Sequence, residues 1–193
     1  MKNVYFASYT KFNVFIILLG FIFLCFNSAA LSDEIEEEKV PEKLKYYKEK
    51  YEMIYDVKFQ NVYDACKKFI EEKLSCQILS SKIRDGENGF LRGIIRSELC
   101  VFSQNESEIF KTIQKYALDA PFIRGGVWTS GRMQYTFIIQ ELEDGKTNLE
   151  LRGEMSGFEN HVTFKAHFFK SNGLLEHQAF TTVEELMGNI PSE

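Results

Sequence analysis

The stretch Gly126–Met133 (GVWTSGRM) has the glycine spacing of a phosphate-binding loop. Arg132 replaces the lysine of such loops, and Met133 stands where a serine or threonine would hold magnesium. A strand-like segment follows the stretch, so it lacks the helix N-terminus that would bind phosphate. We therefore predict a turn that leads into a strand and no nucleotide site.

The three histidines do not have the spacing of a metal site. His161 and His167 lie on one predicted strand, about 20 Å apart end to end, and His177 lies at the start of the last predicted helix. A triad of Ser156, Glu159 and His161 would lack the strained turn that exposes a nucleophilic serine. We therefore predict no catalytic residue, no metal and no cofactor, and a protein that is not an enzyme.

The cluster of Arg124, Trp128 and Arg132 around the glycine-rich stretch has the residue types that anchor protein interfaces. It is a candidate partner-binding patch. The structural alternative is that Trp128 packs at the edge of the core while the two arginines pair with acids.

The elements that must position these residues follow from hydrophobic periodicity. Alternating segments predict strands, and apolar residues at helical spacing predict helices, the first capped by Asn61. Ser156–Asn160 and residues 85–88 are predicted turns. The predicted strands cover 53–59, 75–83, 90–102, 134–140, 148–155 and 162–169, and the predicted helices cover 61–70, 106–118 and 174–188. The sequence predicts an α+β domain in which an antiparallel sheet is covered by a long C-terminal helix.

This element order, with the opening strand running into Asn61-Val62-Tyr63-Asp64-Ala65, resembles the helix-grip group. It is also similar to small helix-grip domains of bacterial cell-envelope lipoproteins. The resemblance covers about residues 53–188 and implies a curved antiparallel sheet that wraps the C-terminal helix. The group includes pocketed lipid binders and pocketless interaction modules, so the resemblance assigns no functional residue.

The first thirty residues predict export from the cytoplasm. Lys2 and Lys11 precede the apolar run Val14–Phe26, and small residues follow it at Ser28 and Ala30. This is the order of a cleaved signal peptide. An uncleaved membrane anchor is the alternative, and Cys25 matches a lipoprotein signal poorly. Acidic residues after the run place the rest of the chain outside the cytoplasm, in the periplasm or cell envelope or secreted.

The predicted organisation is a signal peptide or anchor over 1–30, a charged tether over 31–52, the domain over 53–188 and a tail over 189–193. Without residues 1–30 the chain carries 21 basic and 28 acidic residues, a net charge of −7. It has no basic stripe of the kind that binds nucleic acid. Membrane contact is expected only through an uncleaved N-terminal segment.

Three cysteines remain after export, so at least one thiol is not in an intramolecular disulfide. A turn near residues 85–88 would pair Cys76 with Ser97, about three residues out of register with Cys100 and too far for a bridge. A Cys66–Cys76 bridge is possible if the first helix ends against the next strand. The sequence favours buried thiols that act as small hydrophobes.

Two functions fit these features. The first is a non-catalytic, exported module that binds another envelope protein. The second is a carrier for an apolar or lipid-like ligand held between the sheet and the C-terminal helix. Such a cavity would be lined by Tyr135, Phe137, Phe164 and Phe168. A pocket of roughly 300 Å³ or more under that helix would favour the carrier.

Overall fold

The computed structural model describes residues 42–86, 89–104 and 107–188. The predicted signal peptide or anchor, residues 31–41 of the predicted tether and the tail lie outside these residues. The 85–88 turn and the first residues of the second predicted helix are described only in part. Residues 42–50, predicted as tether, contact the domain, since the Tyr46 ring stacks on His177 with centroids 4.8 Å apart.

Within the described residues six antiparallel strands form one open sheet, which confirms the α+β prediction. The spatial order is β1-β5-β4-β3-β2, and β6 also pairs with β5. The strands are β1 (Tyr51–Tyr55), β2 (Ile78–Asp85), β3 (Leu91–Gln104), β4 (Trp128–Glu141), β5 (Thr147–Glu159) and β6 (Lys165–Phe169).

The part of the chain that the structure describes also has three α-helices, which are α1 (Phe59–Lys68), α2 (Ile109–Tyr116) and α3 (Leu174–Gly188). A π-helical turn at Phe69–Lys73 extends α1, and a short 3-10 helix covers Glu42–Leu44. The C-terminal helix α3 was predicted, and its buried stripe of Leu175, Ala179 and Val183 is confirmed. No helix within the described residues has both the length and the apolar character needed to cross a bilayer.

The start of α1 differs from the prediction. The helix begins at Phe59, and no side chain caps it, so Asn61 is not its N-cap. Phe59, Val62, Tyr63 and Cys66 are buried at helical spacing. The inward stripe thus begins at a residue that we assigned to the preceding strand.

Apolar side chains pack most of the interior between the sheet and α3. Phe69, on the π-helical turn, makes edge-to-face contacts with Tyr135 and Phe137, at centroid distances of 5.4 and 5.8 Å. Fully buried residues around them include Val62, Ile70, Ile139, Leu149 and Val183. This packing fixes the helices on the sheet.

A disulfide joins Cys76 to Cys100, with Cα atoms 5.5 Å apart, so the prediction that they are too far apart is wrong. The hairpin is centred later than expected, because Arg84 pairs with Arg92. The Glu98 N–H also donates to the Gln77 carbonyl, which brings Cys76 beside Cys100. Cys66 is a buried free thiol, and burial raises its pKa.

Candidate functional site

Trp128, the only tryptophan, is a core residue and not a surface anchor. Its side chain is 8% exposed and stacks on Phe110 of α2 at 5.6 Å. His167 and Phe169 of β6 also contact the ring, at 5.5 and 6.5 Å. The tryptophan thus packs as in the structural alternative considered from the sequence, whereas among the described residues neither Arg124 nor Arg132 forms an ion pair with an acid.

The patch of Arg124, Trp128 and Arg132 is therefore not formed as predicted. Arg132 is exposed next to the buried Met133 on β4, while Arg124 is exposed in the loop that precedes this strand. The glycine-rich stretch is itself mostly strand, since β4 begins at Trp128. The two arginines are surface residues beside a tryptophan that a partner cannot reach.

Gly157 of β5 lies under the Trp128 ring. A Cβ atom at this position would lie 2.8 Å from the Trp128 ring and 3.0 Å from Ile113 Cδ1. We expect Gly157→Ala to destabilise the protein by about 2 kcal/mol, because an extra methyl overpacks this contact. Urea unfolding measures the loss, and Trp128 fluorescence should shift to the red in the folded variant. An unchanged emission spectrum and unfolding midpoint would contradict this packing.

The four residues predicted to line a cavity are divided between core and surface. Tyr135 and Phe137 are buried, whereas Phe164 and Phe168 are 66% and 68% exposed. The strand phase was wrong at β6, because Phe169 faces inward in place of Phe168. Of the four, Tyr135 alone borders a cleft of about 450 Å³ between α3 and the π-helical turn.

Glu159 organises the end of the domain near Trp128. The residue is fully buried at the end of β5. Its Oε1 accepts hydrogen bonds from the N–H groups of Val127, His161 and Val162, at 2.9, 2.7 and 2.9 Å. Its Oε2 accepts from the Thr163 N–H at 2.5 Å and the Thr163 hydroxyl at 2.7 Å. Each oxygen thus accepts at least two hydrogen bonds from neighbouring residues.

The charge of Glu159 is stabilised by these donors. Burial by itself raises the pKa of the carboxyl, but the hydrogen bonds from Thr163, Val162 and Val127 outweigh it and hold the pKa well below its usual range. Across the described residues no Lys, Arg or His side chain forms an ion pair with it. The carboxylate therefore acts as an anion held by main-chain dipoles.

Thr163 extends this arrangement to His167. Its hydroxyl lies 2.8 Å from His167 Nε2. Since the hydroxyl proton goes to Glu159, His167 Nε2 must carry a proton and donate to Thr163. Glu159 makes no hydrogen bond to a histidine ring in the described part of the chain, so a triad of Ser156, Glu159 and His161 is not assembled.

The turn at residues 160–164 displays apolar side chains to solvent. Phe164 has φ = 51°, a left-handed conformation that is strained for a bulky residue. Val127 and Val162 bind the same Glu159 oxygen and are both exposed. We call the exposed apolar residues at this end the apolar patch; its members are Phe122, Val127, Phe158, Val162, Phe164 and Phe168.

The patch combines three segments of the chain. Phe122 and Val127 lie in the loop before β4, and the Phe122 ring is 6.2 Å from that of Phe110. On the sheet, Phe168 lies opposite Ser156, which places it diagonally across from Phe158 on one face. Arg124 and Lys165, which lie close in sequence to Phe122 and Phe164, are also exposed. Exposed apolar side chains concentrated at one end of a domain are typical of a protein-binding site.

Sequence reasoning missed Glu159 as an organising residue, although a signal was present. Leu149, Leu151 and Met155 predict the inward face of β5, and Glu159 continues the same alternation. An acid on the apolar face of a strand needs partners, and the main-chain N–H groups of His161, Val162 and Thr163 that follow it supply most of them. No protein-family model, curated protein or solved structure matches this chain.

Proposed function

We propose that this protein is an exported, non-catalytic interaction module that binds another protein of the cell envelope through the apolar patch. The partner would present an apolar surface bordered by acidic groups, complementary to Arg124 and Lys165. The aromatic content of the patch suits the fully buried centre of an interface.

The observation that carries this proposal is the buried Glu159 carboxylate beneath the patch. Burying a charge without a cation is unfavourable unless hydrogen bonds replace water. Holding Phe164 in a left-handed conformation adds roughly 1–3 kcal/mol of strain. Both features occur in the turn that exposes Phe164 and Val162. Backbone strain of this kind is common where a fold presents a functional surface.

Two features support an extracytoplasmic location. The N-terminal apolar run has the order of an export signal. The Cys76–Cys100 disulfide also favours an oxidising compartment, since structural disulfides are rare in the cytosol.

We further propose that the domain belongs to the helix-grip group. Support comes from the order of its elements and from the packing of α3 against α1 and the π-helical turn over an open antiparallel sheet. The group contains interaction modules without a pocket, and the filled interior around Phe137 is compatible with that type.

Replacing Phe164 by asparagine tests the binding surface. Asparagine tolerates a left-handed backbone, so we expect Phe164→Asn to leave the folding stability unchanged or to raise it by up to about 1 kcal/mol. The same change should weaken partner binding about tenfold or more, because it removes an aromatic anchor. The partner is first identified by a photo-crosslinking amino acid at position 164 in the native host, and the affinities are then measured by calorimetry.

Ile54 provides a matched control. It is 62% exposed on β1, outside the apolar patch. A crosslinker at position 54 should not capture the same protein, and Ile54→Asn should bind the partner as the unaltered protein does. Equal capture at positions 54 and 164, or full affinity of Phe164→Asn, would refute the proposed surface.

A carrier of an apolar ligand is the second candidate. The 450 Å³ cleft supports it, since Phe69, Tyr135 and Leu175 form an apolar floor beside α3. Its rim is polar and includes Lys73, Gln178 and Glu185. Native mass spectrometry of the gently purified protein distinguishes the two functions. A co-purified lipid mass would favour the carrier, and an unliganded mass would favour the interaction module.

A further inference from the structure

One edge of β5 pairs with two different strands, β1 and β6. Between these two strands a short stretch of the β5 edge has no partner. β1 pairs with β5 up to Leu151, and β6 pairs with it from Met155. The intervening Arg152–Glu154 pair with β4 on one edge and with neither β1 nor β6 on the other. At about 3.4 Å per residue, the gap accepts roughly three residues of extended chain.

The segment that follows β6 and the segment that precedes β1 both turn away from β5, which leaves the gap open. After Phe169, the Lys170 N–H donates to Asp119 Oδ1 at 2.8 Å, and the Lys170 carbonyl accepts the Leu118 N–H at 2.9 Å. Before β1, the Lys48 N–H donates to the Tyr51 hydroxyl at 3.1 Å, which bends the chain at Lys50. A cavity of about 1130 Å³ lies between these segments.

A buried carboxyl group borders this cavity. Glu176, in the first turn of α3, is 2% exposed and lines the cavity. Its Oε2 accepts the Ser171 hydroxyl at 2.7 Å, and the main-chain N–H of Glu176 itself also donates to the carboxylate. Burial raises the pKa of Glu176, although Ser171 opposes the shift. Oε1 faces Gly153, where a Cβ atom would lie 2.8 Å away.

We propose that this gap is a second binding site, which takes an extended peptide segment of a partner protein as a short added strand on β5. Main-chain groups of the peptide pair with Arg152–Glu154, as in other cases of strand addition to a sheet edge. Both ends of the peptide leave the sheet through the open side of the cavity, because β1 and β6 block the strand direction.

The geometry also specifies the side chain at the centre of the peptide. Gly153 shares the inward face with Leu151 and Met155, and cross-strand neighbours share a face. The peptide residue opposite Gly153 therefore points toward Glu176. A small side chain with a hydrogen-bond donor, serine or threonine, fits there and donates to Oε1. The residues on either side face Arg152 and Glu154, which favours an acidic residue opposite Arg152, beside its ion pair with Glu150 at 2.7 Å, and a basic residue opposite Glu154.

A random decapeptide library displayed on phage is the probe, applied to the purified full-length protein. We expect selected peptides to shift the amide NMR signals of Arg152–Glu154. Methylation of single peptide nitrogens should weaken binding about tenfold where the N–H pairs with β5 and have little effect at neighbouring nitrogens. Glu176→Gln should weaken peptides with a central serine about tenfold, provided that its melting curve matches that of the unaltered protein.

Phe164→Asn is the control that separates the two sites, since it alters the apolar patch and should leave peptide affinity unchanged. Failure to select any peptide, absence of shifts at Arg152–Glu154, or equal tolerance of N-methylation at every position would each overturn the strand-addition site. None of these results bears on partner binding through the apolar patch.

Discussion

Replacing Glu159 by glutamine is expected to lower the Tm of the protein by about 10 °C, the scale of losing a buried hydrogen-bonded network in a domain of this size. The glutamine is nearly isosteric, but its NH₂ group must replace one oxygen. Every partner of the two Glu159 oxygens is a hydrogen-bond donor. These donors are the N–H groups of Val127, His161, Val162 and Thr163 and the Thr163 hydroxyl. The amide nitrogen would therefore face N–H groups and leave them without an acceptor.

The same carboxylate makes stability depend on pH. Its pKa in the folded protein lies below the value of about 4.3 expected for an unfolded glutamate. The unfolded chain thus binds the proton first, so the contribution of Glu159 is complete above about pH 5 and declines as the pH falls below about 4. Glu159→Gln should lack this part of the acid dependence. Thermal melts between pH 3 and pH 7 give both curves.

Glu154 supplies a matched control for these melts. It lies on the same strand as Glu159 but is exposed. Glu154→Gln should keep the Tm and the acid dependence of the unaltered protein. If Glu159→Gln and Glu154→Gln melted alike over this pH range, the carboxylate would not organise the 160–164 turn.

Periodicity predicted the fold well where one face of an element is clearly apolar. The alternation around Tyr135, Phe137 and Leu149 and the stripe of α3 required no tertiary information. The prediction was wrong in phase at β6, because two adjacent phenylalanines, Phe168 and Phe169, fit either face of a strand. Residues 160–164 wrap Glu159 before β6 begins, and this places Phe169 inward.

The candidate sites were harder to predict, because they depend on which segments meet. Arg124, Trp128 and Arg132 are close in sequence, but the packing of α2 against Trp128 removes the tryptophan from the surface. The gap beside Arg152–Glu154 depends on two segments, distant in sequence, that turn away from β5. Glu176 becomes part of it through the position of α3 relative to Gly153, which periodicity cannot specify.

Removing the Cys76–Cys100 disulfide should destabilise the folded state by about 3 kcal/mol. The bridge closes a loop with a sequence separation of 24 residues, and the chain-entropy estimate for such a loop is of this size. Urea unfolding of the double variant Cys76→Ser/Cys100→Ser against the unaltered protein measures the loss. A reductant should lower the midpoint of the unaltered protein and leave that of the double variant unchanged. Equal shifts in both proteins, or a shift in neither, would count against the bridge.

The redox state of these two cysteines in the native host also tests export. In the full-length protein we expect Cys76 and Cys100 to resist rapid alkylation in intact cells, because oxidising compartments maintain disulfides. A chain that lacks residues 2–30 would stay in the cytoplasm, where both thiols should be alkylated on denaturation. Cys66 should react only after denaturation in either case, since it is buried. Alkylation of Cys76 and Cys100 in the full-length protein would mean that Val14–Phe26 does not direct the domain out of the cytoplasm.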